Sequence, residues 1–226
     1  MGDIKDHKRV NDILLGPLER PALQWLAAHL PAWATPDHMT VIGILGALII
    51  LISYALSGFY PAFLWLASVG FIISWFGDSL DGTLARYRHI ERPKFGFYID
   101  HVTDVLTEII IILGLGLTPY VSFPVASLLC IAYITMSVLI YVRMNVTGEF
   151  KISYSKLGPT EIRVLAIILN TVMFFVGISR IEFTLGSLPL SVSTYDLVVS
   201  AISLLLMYFF AETSIKQSIA LRELGE

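Results

Sequence analysis

Six apolar runs constrain this chain more than any other feature of its sequence. A bilayer core of roughly 30 Å is crossed by about 20 mainly apolar helical residues. Runs of this kind lie at residues 39–59, 61–76, 100–117, 125–142, 160–178 and 196–211, and they are separated by glycine, proline or short polar segments. The sequence therefore predicts an all-α integral membrane protein with six transmembrane helices.

Composition agrees with a membrane protein and argues against other classes. Hydrophobic residues make up 56% of the chain and charged residues 15%, whereas soluble domains are about 25% charged. The net charge of −3 is too small to indicate a nucleic-acid partner. The single cysteine, Cys130, cannot form an internal disulfide. We expect one membrane-embedded domain over residues 1–226.

The segment over residues 1–36 precedes the predicted six-helix bundle of residues 37–226. It mixes apolar and polar positions, and Trp25 and Trp33 suit a headgroup boundary. We predict an amphipathic helix on the cytoplasmic membrane surface, with a short helix packed against the bundle as the alternative. Its polar start, MGDIKDHKRVND, lacks the apolar core of a signal peptide, so we expect no cleaved leader.

The distribution of Lys and Arg predicts the orientation in the membrane. Fourteen of these residues fall in the terminal segments and in the loops after the second and fourth runs, whereas the opposite side has Arg180 alone. Cytoplasmic loops are enriched in Lys and Arg. We therefore expect a multi-pass protein of the cell (plasma or inner) membrane, with both termini and the candidate active site in the cytoplasm.

Four aspartates lie where the second run ends and the third begins, in the stretch GDSLDGTLARYRHIERPKFGFYIDHVTD. Asp78 and Asp81 are three residues apart, and Asp100 and Asp104 are four apart, so each pair shares one helix face. Four converging carboxylates in a partly desolvated cleft repel one another unless protons or cations intervene. Oxygen ligands favour Mg²⁺, Mn²⁺ or Ca²⁺. The spacing favours a metal site over a solvated acidic edge.

Between the two aspartate pairs, the small residues Gly82 and Ala85 allow close approach of a helix or a flat ligand. Asp78-x2-Asp81-Gly82-x2-Ala85-Arg86, followed by Gly96-x3-Asp100-x3-Asp104, resembles the signature of the CDP-alcohol phosphotransferase family of integral membrane enzymes. The gap between Arg86 and Gly96 is nine residues here instead of the usual eight.

The resemblance implies a six-helix, dimeric enzyme that transfers a phosphatidyl-type group from a CDP-linked lipid to a small polar alcohol and releases CMP. It implies two divalent cations, Mg²⁺ or Mn²⁺. Within the motif it makes Asp78, Asp81 and Asp100 metal ligands, and Asp104 a ligand of the second metal or the catalytic base. It also implies that Gly82 and Ala85 line the nucleotide pocket and that Arg86 faces phosphate.

Other polar residues give further candidates. The segment ATPDHMT resembles the family's Thr-Pro-Asn-x-x-Thr, so Asp37 and Thr40 are candidates for cytidine binding; helix capping is the alternative. Glu108 and Thr107 form either a buried polar pair or a shell around the metals. His101 points away from the aspartates, and we do not assign it as a ligand.

The acceptor is expected between the fourth and fifth runs, where Arg143, Lys156 and Arg163 could converge on an anionic group. These residues could equally be positive-inside flanking charges. The pattern is similar to bacterial phosphatidylinositol-phosphate synthases, which puts inositol phosphate ahead of inositol, glycerol phosphate or another alcohol. Asn145 stands where those enzymes have a basic residue.

Two other classes of function remain open. A cation or proton transporter also has carboxylates within its spans, but the acidic residues here cluster at one side of the membrane. A membrane scaffold needs neither aspartate pair. Ion flux through liposomes would identify a transporter, and metal-dependent CMP release would identify the enzyme.

Overall fold

The computed structural model describes residues 14–147, 158–185 and 188–223. Within these ranges the chain forms seven helices and one two-stranded hairpin. The elements are α1 (Gly16–His29), α2 (Pro36–Leu56), α3 (Phe63–Tyr87), α4 (Pro93–Leu115), α5 (Phe123–Thr147), α6 (Pro159–Val176), β1 (Arg180–Leu185), β2 (Leu188–Ser193) and α7 (Thr194–Glu223). The prediction of a helical architecture is confirmed, with the hairpin as an addition.

Five of the described helices, α2, α3, α5, α6 and α7, are long and apolar enough to cross a membrane. The chain is therefore a multi-pass membrane protein by helix composition. The remaining long helix, α4, has 23 residues, but Asp100, Asp104 and Glu108 lie in its membrane-length stretch. The third predicted span, residues 100–117, thus falls on the helix that carries half of the candidate site, and it is the one predicted span that is not among these five.

Helix α3 continues through the first aspartate pair and does not stop where the apolar run ends at Phe76. No proline interrupts this stretch, so the helix persists to Tyr87. After the helix ends at Tyr87, His89 adopts a left-handed φ of 56°. Helix α4 then starts at Pro93, a favourable first helical position. Asp78 and Asp81 are therefore held on rigid helix.

Glycines let α2 and α3 cross with their backbones in contact. A Cβ added to Gly77 would lie 2.2 Å from the backbone nitrogen of Gly43, and one added to Gly46 would lie 2.4 Å from the backbone nitrogen of Ser74. Atoms cannot approach so closely, so these positions require glycine. The crossing brings the start of α2 beside the aspartate-bearing part of α3.

The first helix, α1, packs against α3 near the candidate site. Leu23 and Ala27 of α1 are buried in a cluster with Leu80 and Leu84 of α3. The alternative of a helix packed against the bundle is therefore seen. The other face of α1 is apolar and exposed, with Trp25 61% exposed, as expected for a helix at a membrane surface.

A second, larger core lies among the long helices, and buried polar groups cross it. The hydroxyl of Tyr54 on α2 donates to Asn170 Oδ1 on α6 over 2.9 Å, and Asn170 Nδ2 donates to Ser68 Oγ on α3 over 3.2 Å. All three residues are buried. These bonds fix the mutual positions of α2, α3 and α6, because buried polar groups are costly to leave unsatisfied.

The antiparallel hairpin of β1 and β2 joins α6 to α7, with Arg180 paired with Ser193 and Leu185 with Leu188. Helix α6 ends at Gly177, whose φ of 73° favours glycine. This strand pair was not predicted from the sequence. The hairpin lies at the opposite end of α6 from Arg163.

Candidate active site

Three carboxylates from two helices meet at the candidate site. Asp78 of α3 and Asp100 and Asp104 of α4 each offer an oxygen within 4.8 Å of the others, and all three residues are partly buried. Mg²⁺ binds oxygen at about 2.1 Å and Ca²⁺ at about 2.3–2.6 Å, so opposite ligands of one ion lie about 4–5 Å apart. In donor type and spacing, the cluster fits a hard divalent cation.

Asp81, the fourth predicted carboxylate, lies beside this cluster. Its Oδ2 accepts a hydrogen bond from Thr40 Oγ1 over 2.9 Å, and its Oδ1 accepts one from the Gly82 amide over 2.5 Å. It lines the same cavity as Asp78 and Asp104. Of the four predicted ligands, the structure brings three together and ties the fourth to α2.

Arg163 of α6 enters the site from a third helix. Its Nη2 donates to Asp78 Oδ2 over 2.7 Å, and its side chain is only 16% exposed. Its Nη1 is buried and has no hydrogen-bond partner among the described residues. A partly buried guanidinium with an unpaired N–H donor can bind an anionic oxygen of a ligand.

A small open cavity joins these groups. Its lining includes several residues that the sequence analysis did not assign to the site. The complete lining is Thr40, Gly43, Ile44, Ser74, Asp78, Asp81, Thr103, Asp104, Thr107 and Arg163. Thr107 was already a candidate for a shell around the metals. Thr103 lies one helical turn before it, beside the aspartates of α4, and this spacing was the signal that could have identified Thr103. Gly43 and Ser74 come from the close crossing of α2 and α3.

Glu108 is part of a polar pair within the bundle, but its partner differs from the expected one. The hydroxyl of Tyr133 on α5 donates to Glu108 Oε1, while Thr107 donates to the backbone oxygen of Asp104 over 3.0 Å. His101 stacks on Phe97, with ring centroids 4.1 Å apart. His101 is not a member of the carboxylate cluster.

Of the residues predicted to bind the nucleotide, Thr40 lines the cavity, whereas Gly82, Ala85, Arg86 and Asp37 are not part of its lining. Arg86 is exposed and donates to Thr83 Oγ1 over 3.2 Å, and a Cβ on Gly82 would lie 3.2 Å from Arg86 Nη1. Ala85 is partly buried on the same stretch of α3. Asp37 forms an ion pair with Arg92, and both side chains are about half exposed.

The segment ATPDHMT caps the start of α2, which was the alternative to cytidine binding. Thr35 is the N-cap residue of α2, and its hydroxyl accepts from the His38 amide over 3.3 Å. Thr40 donates to Asp81 as well as to the backbone oxygen of Pro36. Thr40 therefore orients a carboxylate of the site.

The three predicted acceptor residues are placed differently. Arg163 lines the cavity. Arg143 lies near the end of α5, is partly buried, and is not part of the cavity lining. Lys156 lies outside the described residues. Their convergence stays a prediction.

Comparison with known proteins gives the same family as the motif. Cholinephosphotransferase 1 from Homo sapiens is 25% identical over 184 residues, which cover 76% of this chain and 45% of that protein. Its counterpart from Bos taurus is 24% identical over 183 residues, with the same coverage. This chain thus matches less than half the length of these relatives. The family pattern for CDP-alcohol phosphatidyltransferase matches residues 33–209. The chain belongs to the CDP-alcohol phosphatidyltransferase family of enzymes.

Proposed function

We propose that this protein transfers a phosphate-bearing group from a CDP-linked donor to an alcohol at the membrane and releases CMP. The observation that carries the proposal is the cluster of Asp78, Asp100 and Asp104, with Arg163 bonded to one of its carboxylates. The same aspartates occupy the motif positions that resemble the family signature. Family membership supports the reaction class.

Asp78, Asp81 and Asp100 would hold Mg²⁺ or Mn²⁺, and Asp104, which lies in one cluster with Asp78 and Asp100, would contribute one oxygen to a second ion. When bound, such ions neutralise charge on the diphosphate and orient it for displacement. The chain prepares the ligands: Thr40 orients Asp81, and the helical spacing of α4 directs Asp100 and Asp104 to one side.

In this proposal the carboxylate of Asp104 takes the proton of the acceptor hydroxyl. The hydroxyl oxygen then forms a bond to the phosphorus nearer the transferred group, and the bond from that phosphorus to the CMP oxygen breaks. Arg163 directs N–H groups at anionic oxygens, which favours in-line placement. Gly82, Ala85, Arg86, Asp37 and Thr40 would contact the CDP moiety.

We assign the donor as a CDP-linked lipid such as CDP-diacylglycerol, and the acceptor as a small anionic alcohol, with inositol phosphate first. The unpartnered Nη1 of Arg163 supports an acceptor that carries phosphate. Arg143 and Lys156 would complete that binding site. Inositol and glycerol phosphate are the other acceptors compatible with the same chemistry.

A second candidate places the small headgroup on the donor and the lipid on the acceptor. The similarity to cholinephosphotransferases favours a donor of the CDP-choline type. The chemistry at phosphorus is unchanged, but the lipid supplies the attacking hydroxyl. The position of Arg163 argues against this second candidate, because its positively charged, largely buried guanidinium would repel the quaternary ammonium group of choline.

In the membrane, α4 would complete a set of six spanning helices around the site, and the cytoplasmic face would hold the cavity. Acyl chains could then stay in hydrocarbon while the headgroup reaches the aspartates, which avoids a cost of about 0.8 kcal/mol per exposed CH₂. A homodimer in the cell membrane is the assembly that the family resemblance implies.

The test is CMP release by the purified chain in lipid nanodiscs with Mg²⁺. One arm supplies CDP-diacylglycerol with inositol phosphate, inositol or glycerol phosphate, and another supplies CDP-choline with diacylglycerol; product masses identify the transfer. Chelation should stop release, and Mg²⁺ or Mn²⁺ should restore it. Release in the second arm alone would select the second candidate. No release in either arm would contradict the proposed function.

A further inference from the structure

Glu19 of α1 connects two helices of the candidate site. Its Oε1 accepts hydrogen bonds from Trp75 Nε1 over 2.8 Å, Ser79 Oγ over 3.2 Å and Thr160 Oγ1 over 2.8 Å. Trp75 and Ser79 belong to α3, and Thr160 belongs to α6.

A second hydrogen bond joins the start of α1 to the start of α6, and here the accepting carboxylate belongs to α6. The Leu15 amide donates to Glu161 Oε1 over 2.7 Å, and the Gly158 amide donates to Glu161 Oε2 over 2.9 Å. Glu161 is only 4% exposed. The first turn of α6 is therefore attached to α1 by one carboxylate from each helix.

The far end of α1 is fixed as well, so that Glu19 is held on a rigid support. Arg88, at the end of α3, donates to the backbone oxygens of Leu30 over 3.1 Å and Pro31 over 2.9 Å. These carbonyls follow the last turn of α1. With Leu23 and Ala27 buried, α1 is bound to α3 along its length.

The residues that Glu19 contacts flank the ion pair of the site. Trp75 and Ser79 lie on either side of Asp78 in α3, and Thr160 precedes Arg163 by three residues, about 4.5 Å along α6. Asp78 and Arg163 are themselves in contact over 2.7 Å. Glu19 thus joins the same two helical turns that carry the ion pair.

We propose that Glu19 is a positioning residue that places Arg163 for the acceptor. By holding the first turn of α6 against the aspartate turn of α3, it fixes the guanidinium relative to the phosphorus under attack. A displacement of about 1 Å can cost on the order of 100-fold in rate, even when it arises away from the chemistry. This inference rests on the proposed function and adds a role for α1 in it.

The first test compares Glu19→Ala with Glu19→Gln in nanodiscs, using whichever alcohol the wild type accepts. Glu19→Ala should raise KM for the acceptor about tenfold and change KM for the CDP donor less than about twofold, since hydrogen bonds of ordinary strength are lost at one side of the site. Glu19→Gln keeps an acceptor oxygen and should stay near wild type. Equal changes in both KM values, or no rescue by glutamine, would overturn the proposal.

The second test asks whether Glu19 acts through Arg163. The double variant Glu19→Ala/Arg163→Ala should have the acceptor KM of Arg163→Ala alone, because coupled residues are not additive. If Arg163→Ala is too slow to measure, Arg163→Lys replaces it in the cycle. If the increases in acceptor KM from the two single variants multiply in the double variant, Glu19 acts independently of Arg163 and the proposal is overturned.

Hydrogen exchange gives a measurement that does not depend on the reaction. Glu19→Ala should exchange faster over residues 158–163 than the wild type, whereas Glu212→Ala, at a partly exposed position of α7, should match the wild type in exchange and kinetics. A wild type that transfers nothing contradicts the proposed function. An active wild type with unchanged kinetics and exchange in Glu19→Ala overturns the role of Glu19 alone.

Discussion

Asp78 takes part in both electrostatic features of the candidate site. It shares the 4.8 Å cluster with Asp100 and Asp104, and it receives the Nη2 hydrogen bond of Arg163. One guanidinium compensates one carboxylate, so the cluster keeps an excess of negative charge when all three are ionised. In a partly buried setting that excess is unfavourable. A divalent cation would neutralise this excess charge, so the loss of Asp78 should affect the site more than the loss of an exposed carboxylate.

Asp78→Asn should remove metal-dependent transfer while the chain stays folded. The amide oxygen can still accept from Arg163, but the charge that attracts the cation is lost. We expect CMP release to fall by more than about 100-fold, since even residues behind the ligands of a metal contribute about 10–100-fold. Mn²⁺ binding followed by electron paramagnetic resonance should weaken in parallel. Glu212→Gln is the matched control, and normal turnover in Asp78→Asn would contradict the metal assignment.

Thr40 tests whether Asp81 belongs to the metal site, because it hydrogen-bonds to Asp81 from another helix, α2. Thr40→Val keeps the shape and removes the hydroxyl that donates to Asp81 Oδ2. We expect the Mg²⁺ concentration for half-maximal activity to rise about tenfold, the range found for groups that orient a ligand. Thr40→Ser keeps the hydroxyl and should remain within about twofold of wild type, in line with its retained hydrogen bond. An unchanged Mg²⁺ requirement in Thr40→Val would remove Asp81 from the metal site.

At the residue scale, spacing along one helix could be predicted and contacts between helices could not. Asp100 and Asp104 share a face because they are one turn apart, which follows from helix geometry. The bond between Asp78 and Arg163 joins residues 85 positions apart, and the bond between Glu19 and Thr160 joins residues 141 apart. No periodicity in the sequence encodes such pairs, because they depend on how the helices pack.

Among the elements, the crossing of α2 and α3 determines where the site forms. Its glycines give a direct prediction. Gly77→Ala would put a Cβ 2.2 Å from the Gly43 nitrogen, and the obstructing atom is backbone that cannot rotate away. The helices must separate, at a cost of about 1–3 kcal/mol or more for overpacking.

Thermal unfolding in detergent should show Gly77→Ala melting clearly below wild type. The control is Gly96→Ala in α4, where a Cβ would meet nothing within 4 Å. That change should be neutral or stabilising, by up to about 1 kcal/mol from helix propensity. Equal melting of the two variants would mean that α2 and α3 are not in backbone contact.

Long apolar helices could be predicted from hydropathy and the short helix α1 from its amphipathic pattern, whereas the hairpin of β1 and β2 was missed. Residues 180–185, RIEFTL, alternate polar and apolar side chains with the period of a strand. The next two residues in the sequence are glycine and serine, residue types that favour turns. The signal for the hairpin was therefore present, but it is brief beside the apolar runs on either side. The continuation of α3 through Asp78 and Asp81 was predicted from their spacing, because polar residues end a hydropathy run without ending a helix.

At the scale of the whole molecule, the distribution of positive charge and the order of the helices both distinguish the end with the aspartates from the end with the hairpin. Arg163 lies near the start of α6, and the hairpin with Arg180 follows its end. The 13 residues from Arg163 to Val176 span about 20 Å of helix. The described cations Arg86, Arg88 and Arg92 lie around the connection of α3 and α4, at the end that holds the aspartates. Positive residues favour the cytoplasmic side, which would place the hairpin outside.

Two glutamates at these opposite ends test the orientation, because both are exposed and each can be replaced by cysteine after Cys130→Ser. Glu182→Cys lies in the hairpin, and Glu91→Cys lies between α3 and α4. A membrane-impermeant maleimide should label Glu182→Cys in intact cells and Glu91→Cys only in inverted vesicles, and detergent should expose both. The reverse pattern would move the aspartates to the outer face, away from a cytoplasmic supply of CDP-linked donor. Labelling of both from one side would mean that an even number of the three intervening helices, α4, α5 and α6, crosses the bilayer.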